Sequence, residues 1–331
     1  MTTAAPFGAA GEQVRINDVG PRDGLQNMKA QVSPADRARL ARALVAAGVP
    51  AVEVASFVSP KAVPAMAGAA EVLAALDADA DRAPGSLADS SPDSSPDSSP
   101  DYSVLIPNMR GLDDAIAAGA RSVAVVLSAT DTMNQRNINM DLATTIDVCE
   151  RMLGRAVEAG LNARAYVSVA MECPFEGLVA PQRVFDLGAR MFDAGADEVI
   201  VADTIGAACP AQVAATMDPL MARWGAARLS IHLHDTRAMA LANAWQALQC
   251  GVRRFDASVG GLGGCPFAPG AAGNLATEDL VLMLHQCGFE TGIDMHALLD
   301  CVALAAELTG TSIGGRATRW LHSRRDPGQD S

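Results

Sequence analysis

Short runs of β-branched residues alternate with longer Ala- and Leu-rich stretches of helical period along most of the chain. The short runs predict eight strands, at residues 14–19, 51–54, 102–106, 122–127, 165–169, 198–202, 229–234 and 255–259. The longer stretches predict helices, for example at residues 34–47, 142–159, 181–194 and 238–250. Eight strand–helix units are what a closed (β/α)8 barrel, the TIM barrel, requires.

The ends of the predicted helices carry the expected signals. Ser33 and Pro34 are suited to an N-cap and a first helical residue. Several helices are followed by a glycine suited to a left-handed cap, namely Gly48, Gly119, Gly160, Gly195 and Gly251. A doubly wound open sheet is the alternative fold, but it usually carries G-x-G-x-x-G after its first strand, and here GPRDG follows instead. The barrel is therefore favoured, with an extra helical region near residues 295–308.

One segment interrupts the alternation. Residues 89–101 consist of three tandem copies of the tetrapeptide Asp-Ser-Ser-Pro and a further Asp, a polar repeat that cannot bury apolar surface. We expect a mobile surface loop there, without a catalytic role. The chain from residue 316 onward is polar and partly basic. The sequence thus predicts a single barrel domain over residues 1–315 and a polar tail over residues 316–331.

Composition excludes several classes of partner. The 331 residues include 38 acidic and 25 basic side chains, for a net charge of −13, which opposes binding to nucleic acid or to an anionic membrane surface. Seven cysteines without a C-x-x-C pair are not a disulfide framework or a zinc ribbon. We find neither a signal-peptide pattern nor an apolar run long enough to span a membrane, so we expect a cytoplasmic protein.

The seventh predicted strand ends in a candidate metal site. His232 and His234 are two residues apart, so on a strand both imidazoles face the same side. Asp23, just past the first strand, adds a carboxylate at the same end of the barrel, and two imidazoles with a carboxylate can hold a divalent cation. The alternatives are two hydrogen-bonded rim histidines and an ordinary Asp-Gly turn.

The segment after the eighth strand, residues 260–274, holds six glycines and one thiol, Cys265. Such a loop is costly to order and is often mobile or wrapped around a ligand. A thiol there could donate or accept a proton in a closed site, whereas the cysteines in helical patterns are expected to be inert: Cys149, Cys250, Cys287 and Cys301. Other polar groups lie near strand ends, namely Arg22, Glu53, Asn108, Asp203 and Asn274.

These residues indicate a metal-dependent barrel enzyme with a thiol on a loop at the site. Amidohydrolase barrels also use H-x-H, but on their first strand and with further histidines on other strands. The remaining histidines here are in predicted helices or the tail: His285, His296 and His322. Iron oxygenases with two histidines and one carboxylate are normally all-β, which the alternation of strands and helices opposes.

Longer motifs carry a family resemblance. The sequence resembles 3-hydroxy-3-methylglutaryl-CoA (HMG-CoA) lyase, one of the metal-dependent lyase and Claisen-condensation barrels. The cysteine-loop motif is highly specific, and the matching segments cover nearly the whole chain except the polar repeat and the tail. They are VGPRDGLQN (19–27), VEVASFVSPKAVPAMA (52–67), RNIN (136–139), CPFEG (173–177), DTIG (203–206), HLHDT (232–236), ALAN (240–243) and GLGGCPFAPGAAGNLATED (261–279).

The resemblance implies a ligand set and a reaction. Mg²⁺ or Mn²⁺ would be bound by Asp23, His232, His234 and Asn274, with the substrate's tertiary hydroxyl and an acyl oxygen in the open positions. The implied reaction is retro-Claisen cleavage of (S)-HMG-CoA to acetyl-CoA and acetoacetate, a step of leucine degradation. A homodimer is a family-level expectation.

The resemblance also implies roles for other side chains. Arg22 would stabilise the thioester oxyanion, and Cys265 would protonate the acetyl-CoA carbanion. Glu53 and Asp203 would orient Arg22 and the substrate's polar groups. Gln26 is expected to contact the substrate. Asp23 or His232 would accept the hydroxyl proton, and Arg136 is a candidate for the CoA phosphates.

The chain departs from the usual lyase pattern at a few positions. Residues 237–239 read RAM after HDT where Tyr-Gly-Gln is usual, Glu172 stands for a glycine, Met28 for a Glu, and Asp18 for a Glu. None removes a proposed ligand or the thiol, but the loop after the seventh strand borders the site, so acyl specificity is open. The alternatives are a lyase for citramalyl-CoA or a bulkier 3-substituted glutaryl-CoA and, disfavoured by the full ligand set, a non-catalytic paralogue that binds metal or CoA.

Overall fold

Parallel strands close into a barrel in the computed structural model, which describes residues 11–80, 100–264 and 273–325. The barrel strands are β1 (Arg15–Asp18), β2 (Ala51–Ser56), β3 (Asp101–Leu105), β4 (Ser122–Ser128), β5 (Asn162–Ser168), β6 (Glu198–Asp203), β7 (Leu229–Leu233) and β8 (Arg254–Ala257). Their order around the barrel is β1-β8-β7-β6-β5-β4-β3-β2. The predicted (β/α)8 barrel is confirmed, and each predicted strand lies at its expected place.

Helices surround the barrel. They are α1 (Pro34–Ala46), α2 (Ala69–Ala80), α3 (Met109–Ala117), α4 (Asp131–Ile138), α5 (Leu142–Glu158), α6 (Pro181–Asp193), α7 (Pro210–Trp224), α8 (Ala240–Gln249), α9 (Thr277–Gln286), α10 (Met295–Thr309) and α11 (Thr318–Arg325). The predicted caps are present: the Ser33 hydroxyl accepts a hydrogen bond from the Asp36 N–H at 3.1 Å, and the five predicted cap glycines all have positive φ. In the part of the chain described, no helix combines the length and apolar character needed to cross a bilayer.

The strand ends differ from the sequence prediction by at most three residues, and two segments change their assignment. Asp101, placed at the end of the predicted polar loop, is instead the first residue of β3, and its carboxylate pairs with Arg15 of β1 and Arg164 of β5, each one strand beyond the neighbour of β3. Residues 89–99 of that loop lie outside the described residues. In the predicted polar tail, residues 318–325 form α11, whose Leu321 is buried. The helix is also held by a hydrogen bond from the Thr318 hydroxyl to Glu278 and by the pairing of Arg325 with Asp300 of α10.

The apolar core lies mainly between the strands and the helices. Along β4, Val123, Val125 and Leu127 belong to this outer core, whereas Ala124 and Val126 belong to a small cluster inside the barrel. This alternation is the period-two pattern of a strand buried on both faces. The interior cluster is short, since only Leu105, Ala124, Tyr166 and Ile200 form it among the described residues, with Val126 packed against them. Most of the remaining interior is polar, which leaves room for chemistry along the barrel axis.

The N-terminal end of the barrel is closed by an ionic ring, which we define as Arg15, Asp101, Arg164, Glu198 and Arg254. Asp101 pairs with Arg15 at 3.3 Å and with Arg164. Glu198 pairs with Arg254 at 2.6 Å and lies 3.8 Å from Arg164 Nε. Each acid therefore lies between two arginines, so the charges at this end are paired with one another.

Candidate metal centre

The opposite, C-terminal end brings the predicted ligands together. Asp23 lies in a π-helical turn, Gly20–Gly24, directly after β1, and His232 and His234 lie at the end of β7. One ligand atom from each of the three lies within 4.8 Å of the others. Both imidazoles are buried, at 6% and 5% exposure, and their Nε2 atoms are 3.1 Å apart. The strand alternation inferred from H-x-H therefore does place both rings on one inward face.

Asn274 completes the group from the far side of the loop after β8. Its Nδ2 donates to Asp23 Oδ2 at 2.8 Å and to the Leu262 carbonyl at 3.0 Å. Its Oδ1 is buried without a hydrogen-bond partner in the described structure, and so is His234 Nδ1. A buried acceptor without a donor costs about 1–3 kcal/mol, so an orphaned amide oxygen beside a carboxylate calls for a positive group.

This donor set fits a divalent cation. One carboxylate, two imidazoles and an amide oxygen suit Mg²⁺, Mn²⁺ or related ions better than the thiolate-rich sets typical of structural zinc. Burial opposes ionisation of Asp23, but Arg22 and the two histidines outweigh it and lower its pKa to about 2. Asp23 is therefore an anion at neutral pH, as a metal ligand must be.

Three residues that sequence reasoning missed orient His232. Its Nδ1 lies 3.1 Å from Asp256 Oδ2, and the other oxygen of that carboxylate accepts from Asn17 Nδ2 at 2.9 Å. The Tyr166 hydroxyl lies 2.8 Å from Asp256 and 3.2 Å from Glu53. A carboxylate on Nδ1 holds the imidazole in the tautomer whose Nε2 lone pair faces the metal position. The available signal was Asp256 itself, a lone carboxylate at an inward position of β8.

Arg22 and Glu53 form a buried pair beside the metal position. Arg22 donates through Nε to Glu53 and through Nη1 to Asp23 Oδ1 at 2.7 Å. Burial lowers the pKa of Arg22, but Glu53 and Asp23 more than offset this, so its pKa is raised overall. Burial raises the pKa of Glu53 despite its contact with Arg22. Among the described residues, Nη2 of Arg22 has no partner, which leaves one face of the cation for a substrate oxygen.

Asp203 is held by the loop that follows β6. Its carboxylate accepts the backbone N–H groups of Ala207 and Ala208 at 2.9 and 3.1 Å. It therefore organises the loop after β6, and within the described structure it makes no hydrogen bond to Arg22. Burial raises its pKa. Asn108 is an N-cap of α3, where its side chain accepts from Gly111.

A cavity of about 180 Å³ opens beside these groups. Arg22, Asp23, His232 and His234 all line it. Asn137 adds an amide, and most of the other described lining residues are apolar or bear hydroxyls: Leu105, Val126, Met133, Tyr166, Ser168, Ala202 and Thr204. Gln26 lines the cavity with a buried Oε1 that lacks a hydrogen-bond partner there. Cys265 lies outside the described residues. The residue before it, Gly264, lines the cavity and accepts from Asn27 Nδ2 at 3.0 Å.

Two of the departures from the lyase pattern contact each other. Arg237 Nη2 lies 3.5 Å from Glu172 Oε1, and its Nη1 donates to the Ala207 carbonyl at 3.2 Å. The pair joins the loops that follow β5, β6 and β7. Arg136, the candidate for CoA phosphates, lies over the Phe175 ring at 5.3 Å on the same end of the barrel.

Comparisons with known proteins agree with this geometry. The HMGL-like family model matches residues 13–304. The hydroxymethylglutaryl-CoA lyase YngG of Bacillus subtilis is 37% identical over 305 residues, 92% of this chain and 96% of that protein. The (R)-citramalyl-CoA lyase of Chloroflexus aurantiacus is 42% identical over 288 residues, 87% of this chain and 88% of that protein.

A solved structure gives the same result. The HMG-CoA lyase of Acinetobacter baumannii in complex with coenzyme A and 3-methylmalate matches with a TM-score of 0.83 at 32% identity, over 96% of each chain. Family model, relatives and structure all span nearly the whole chain. The chain therefore belongs to the HMGL-like family and is an enzyme, a carbon–carbon lyase.

Proposed function

We propose that the protein is a divalent-metal-dependent lyase that cleaves (S)-HMG-CoA to acetyl-CoA and acetoacetate. The observation that carries this proposal is the convergence of Asp23, His232, His234 and Asn274 on one point beside Arg22. The similarity to lyases for HMG-CoA supports the substrate class, and the lyase solved with coenzyme A supports an acyl-CoA.

Mg²⁺ or Mn²⁺ would be held by Asp23, His232, His234 and Asn274. When bound, the ion would act as a Lewis acid that makes the substrate's 3-hydroxyl more acidic. The protein's contribution is to fix the ligands before binding: Asp256 orients His232, and Asp23 is held by Arg22 and Asn274. An ion bound in this way leaves positions open for the substrate's oxygens.

The bond changes are those of a retro-Claisen cleavage. Asp23 or His232 accepts the proton of the 3-hydroxyl, and the C3–O bond becomes the carbonyl of acetoacetate. The C2–C3 bond breaks, and its electron pair moves onto the thioester as an enolate. Arg22, which lines the cavity and whose Nη2 has no partner among the described residues, stabilises the enolate oxygen, and one such preorganised donor is worth about 3–4 kcal/mol.

Cys265 then protonates C2 to give acetyl-CoA. Replacement of the thiol, Cys265→Ala, should reduce turnover by at least about a hundredfold, the usual scale for loss of a general acid. Metal affinity should stay the same because no sulfur belongs to the ligand set. Steady-state turnover and Mn²⁺ titration of the two proteins measure the two effects, and a rate near that of the unaltered enzyme would remove the thiol from the mechanism.

Citramalyl-CoA is the second candidate substrate, favoured by the 42% identity to a citramalyl-CoA lyase. Its acyl chain is one methylene shorter than that of HMG-CoA, and one methylene in a pocket changes relative rates by about 10- to 200-fold. The Glu172–Arg237 contact joins the loops that follow β5 and β7, and the loop after β7 begins directly beyond His234, so this contact is a candidate for distinguishing the two acyl groups.

The decisive experiment is an assay of acetoacetate and pyruvate from the two CoA esters with Mg²⁺ or Mn²⁺. Acetoacetate formed at the higher kcat/KM supports the first assignment, whereas a faster release of pyruvate from citramalyl-CoA supports the second. A protein that binds Mn²⁺ but cleaves neither ester, nor a bulkier 3-substituted analogue, would be the non-catalytic paralogue.

A cytoplasmic homodimer remains a prediction. The six cysteines among the described residues are all free, which is consistent with a reducing compartment. Light scattering of the purified chain measures the oligomeric state.

A further inference from the structure

Residues 314–318, which we call the C-terminal strap, are held by two buried carboxylates in the first turn of α9. Glu278 Oε1 accepts from the Gly315 N–H at 2.7 Å and from the Thr318 hydroxyl at 2.9 Å. Asp279 accepts the N–H groups of Arg316 and Ala317 at 2.6 and 2.8 Å. Two acids at 0% and 5% exposure are thus used to hold a segment that the sequence predicted as part of a polar tail.

The side chain of Arg316 extends from the strap toward the barrel mouth. Its Nε and Nη2 lie 3.0 and 2.9 Å from Oδ2 of Asp235. The other carboxylate oxygen of Asp235 accepts the N–H of Ala240 at the start of α8. Asp235 is only 18% exposed, so Arg316 supplies the cation for a mostly buried carboxylate.

Asp235 lies between two of the proposed metal ligands. It directly follows His234, and its N–H donates to the Gly273 carbonyl at 3.1 Å, one residue before Asn274. On the other side of the same pairing, the Leu275 N–H donates to the Leu233 carbonyl at 2.9 Å. This short antiparallel pairing, centred on His234 and Asn274, sets the distance between the two ligands.

We infer that Arg316 is a positioning residue for the metal centre, acting through Asp235. The inference rests on the proposed function, because it requires that His234 and Asn274 bind an ion. Without Arg316, Asp235 keeps one hydrogen bond from α8 but loses its cation, so the pairing between His234 and Asn274 is less restrained. The strap thereby connects the C-terminal helices to the geometry of the ligands.

The direction in which Mn²⁺ affinity changes in Arg316→Ala distinguishes a positioning role from a purely electrostatic one. A cation near a metal site repels the metal, so removing the charge of Arg316 would strengthen metal binding if charge alone mattered. A positioning role has the opposite sign, because loosened ligands bind more weakly. Residues that orient metal ligands usually change metal affinity by roughly 10- to 100-fold, and Arg316 acts one step further away, so we expect Arg316→Ala to weaken Mn²⁺ binding about fivefold.

The test uses the full-length protein and Mn²⁺ titrations followed by electron paramagnetic resonance. Arg316→Lys, which keeps the charge but not the planar fork, should fall between the unaltered protein and Arg316→Ala. Arg190→Ala is the matched control, because Arg190 of α6 pairs with Glu150 of α5 at 2.7 Å, between two helices that carry none of the proposed ligands. It should leave the Mn²⁺ dissociation constant unchanged, and melting temperatures of all variants report any general loss of stability.

The outcomes are distinct. Weaker Mn²⁺ binding in Arg316→Ala, with Arg190→Ala unchanged, supports the inference. Equal or tighter binding in Arg316→Ala overturns it, even if the melting temperature falls, since the arginine would then be only structural or only electrostatic. Failure of the unaltered protein to bind Mn²⁺ would instead overturn the proposed metal centre. If Arg316→Ala does not fold, the Lys variant decides by the same criterion.

Discussion

The two ends of the barrel use charged side chains in opposite ways. At the N-terminal end, the ionic ring places each acid between two arginines, so opposite charges face each other. At the C-terminal end, two imidazole Nε2 atoms are 3.1 Å apart, and the amide that donates to the Asp23 carboxylate has an oxygen without a partner among the described residues. The acids of the ring are all paired, whereas the ligand group keeps two buried atoms without a hydrogen-bond partner among the described residues, Asn274 Oδ1 and His234 Nδ1. Incomplete pairing in a buried site, more than charge itself, distinguishes the functional end.

His234→Ala should have the largest effect. It removes one ligand from the C-terminal group, so Mn²⁺ affinity should fall by at least about a hundredfold, and turnover should fall with it. The metal-free protein should lose some stability too, because the ring is 5% exposed and its removal leaves a cavity, so metal affinity is measured on the folded variant. Metal content by mass spectrometry checks the prediction, and an unaltered content would show that the pair of histidines is not a metal site.

Arg164→Met should lower the stability of the protein and leave its metal affinity unchanged. It leaves Asp101 without its buried partner and Glu198 with Arg254 alone, so the free energy of unfolding should fall by about 3–5 kcal/mol, the usual range for breaking a buried pair. Mn²⁺ affinity should be unaffected. Denaturant titration measures the change, with Arg39→Ala as the control. Arg39 pairs with Glu307 at the surface, where such a pair is worth about 0–1 kcal/mol. Equal effects of the two substitutions would contradict the structural role of the ring.

Asp256→Asn tests the carboxylate that orients His232. The amide cannot hold His232 Nδ1 as a carboxylate does, so Mn²⁺ affinity should fall about 10- to 100-fold while the fold persists. Tyr166→Phe is the matched control. It removes only the hydroxyl next to Asp256 and should weaken binding much less. A greater loss of Mn²⁺ affinity in Tyr166→Phe than in Asp256→Asn would contradict the role given to Asp256.

Asp18→Asn should have the smallest effect, a change in how the stability of the protein depends on pH. Burial raises the pKa of Asp18 from its ordinary 3.8 to about 7. Between these values the folded protein binds a proton that the unfolded chain has released, so this group makes the protein less stable as pH rises from about 4 to about 7. The asparagine variant lacks that loss. Melting temperatures at about pH 5 and about pH 8, on either side of the raised pKa, should therefore differ less in the variant, and an identical pH dependence would refute the assignment.

Sequence reasoning reached the groups whose spacing or motif reports their position. H-x-H predicts two side chains on one face, and strand-end positions predict Asp23 nearby, since the C-terminal ends of parallel strands meet. Asn274 was one of several polar groups near strand ends, and its role as a ligand came from the resemblance. Asp256, Tyr166 and Asn17 were missed because each is an isolated polar residue on a different strand. Only barrel closure, which pairs β1 with β8 and curves β5 toward them, brings the three together.

Arg316 and Asp203 also have hydrogen-bond partners that the local sequence does not report. By composition Arg316 belongs to a polar tail, yet an acid of α9 holds its backbone and Asp235 holds its side chain. Asp203 is the first residue of the motif DTIG, and its carboxylate accepts two N–H groups of its own loop, which the motif does not report. The partners of Arg316 lie far from it along the chain, and those of Asp203 lie in its own loop.

The amino-acid sequence by itself determined the barrel, its strands and the face on which the histidines lie, because hydrophobic periodicity and chain alternation are local properties. Tertiary structure alone decided which ligand atoms are left unpaired, which carboxylate orients His232, and how the C-terminal strap reaches the metal loops. The physical reason is that these features depend on distances between residues that lie far apart along the chain. Such distances exist only once the sheet has closed on itself.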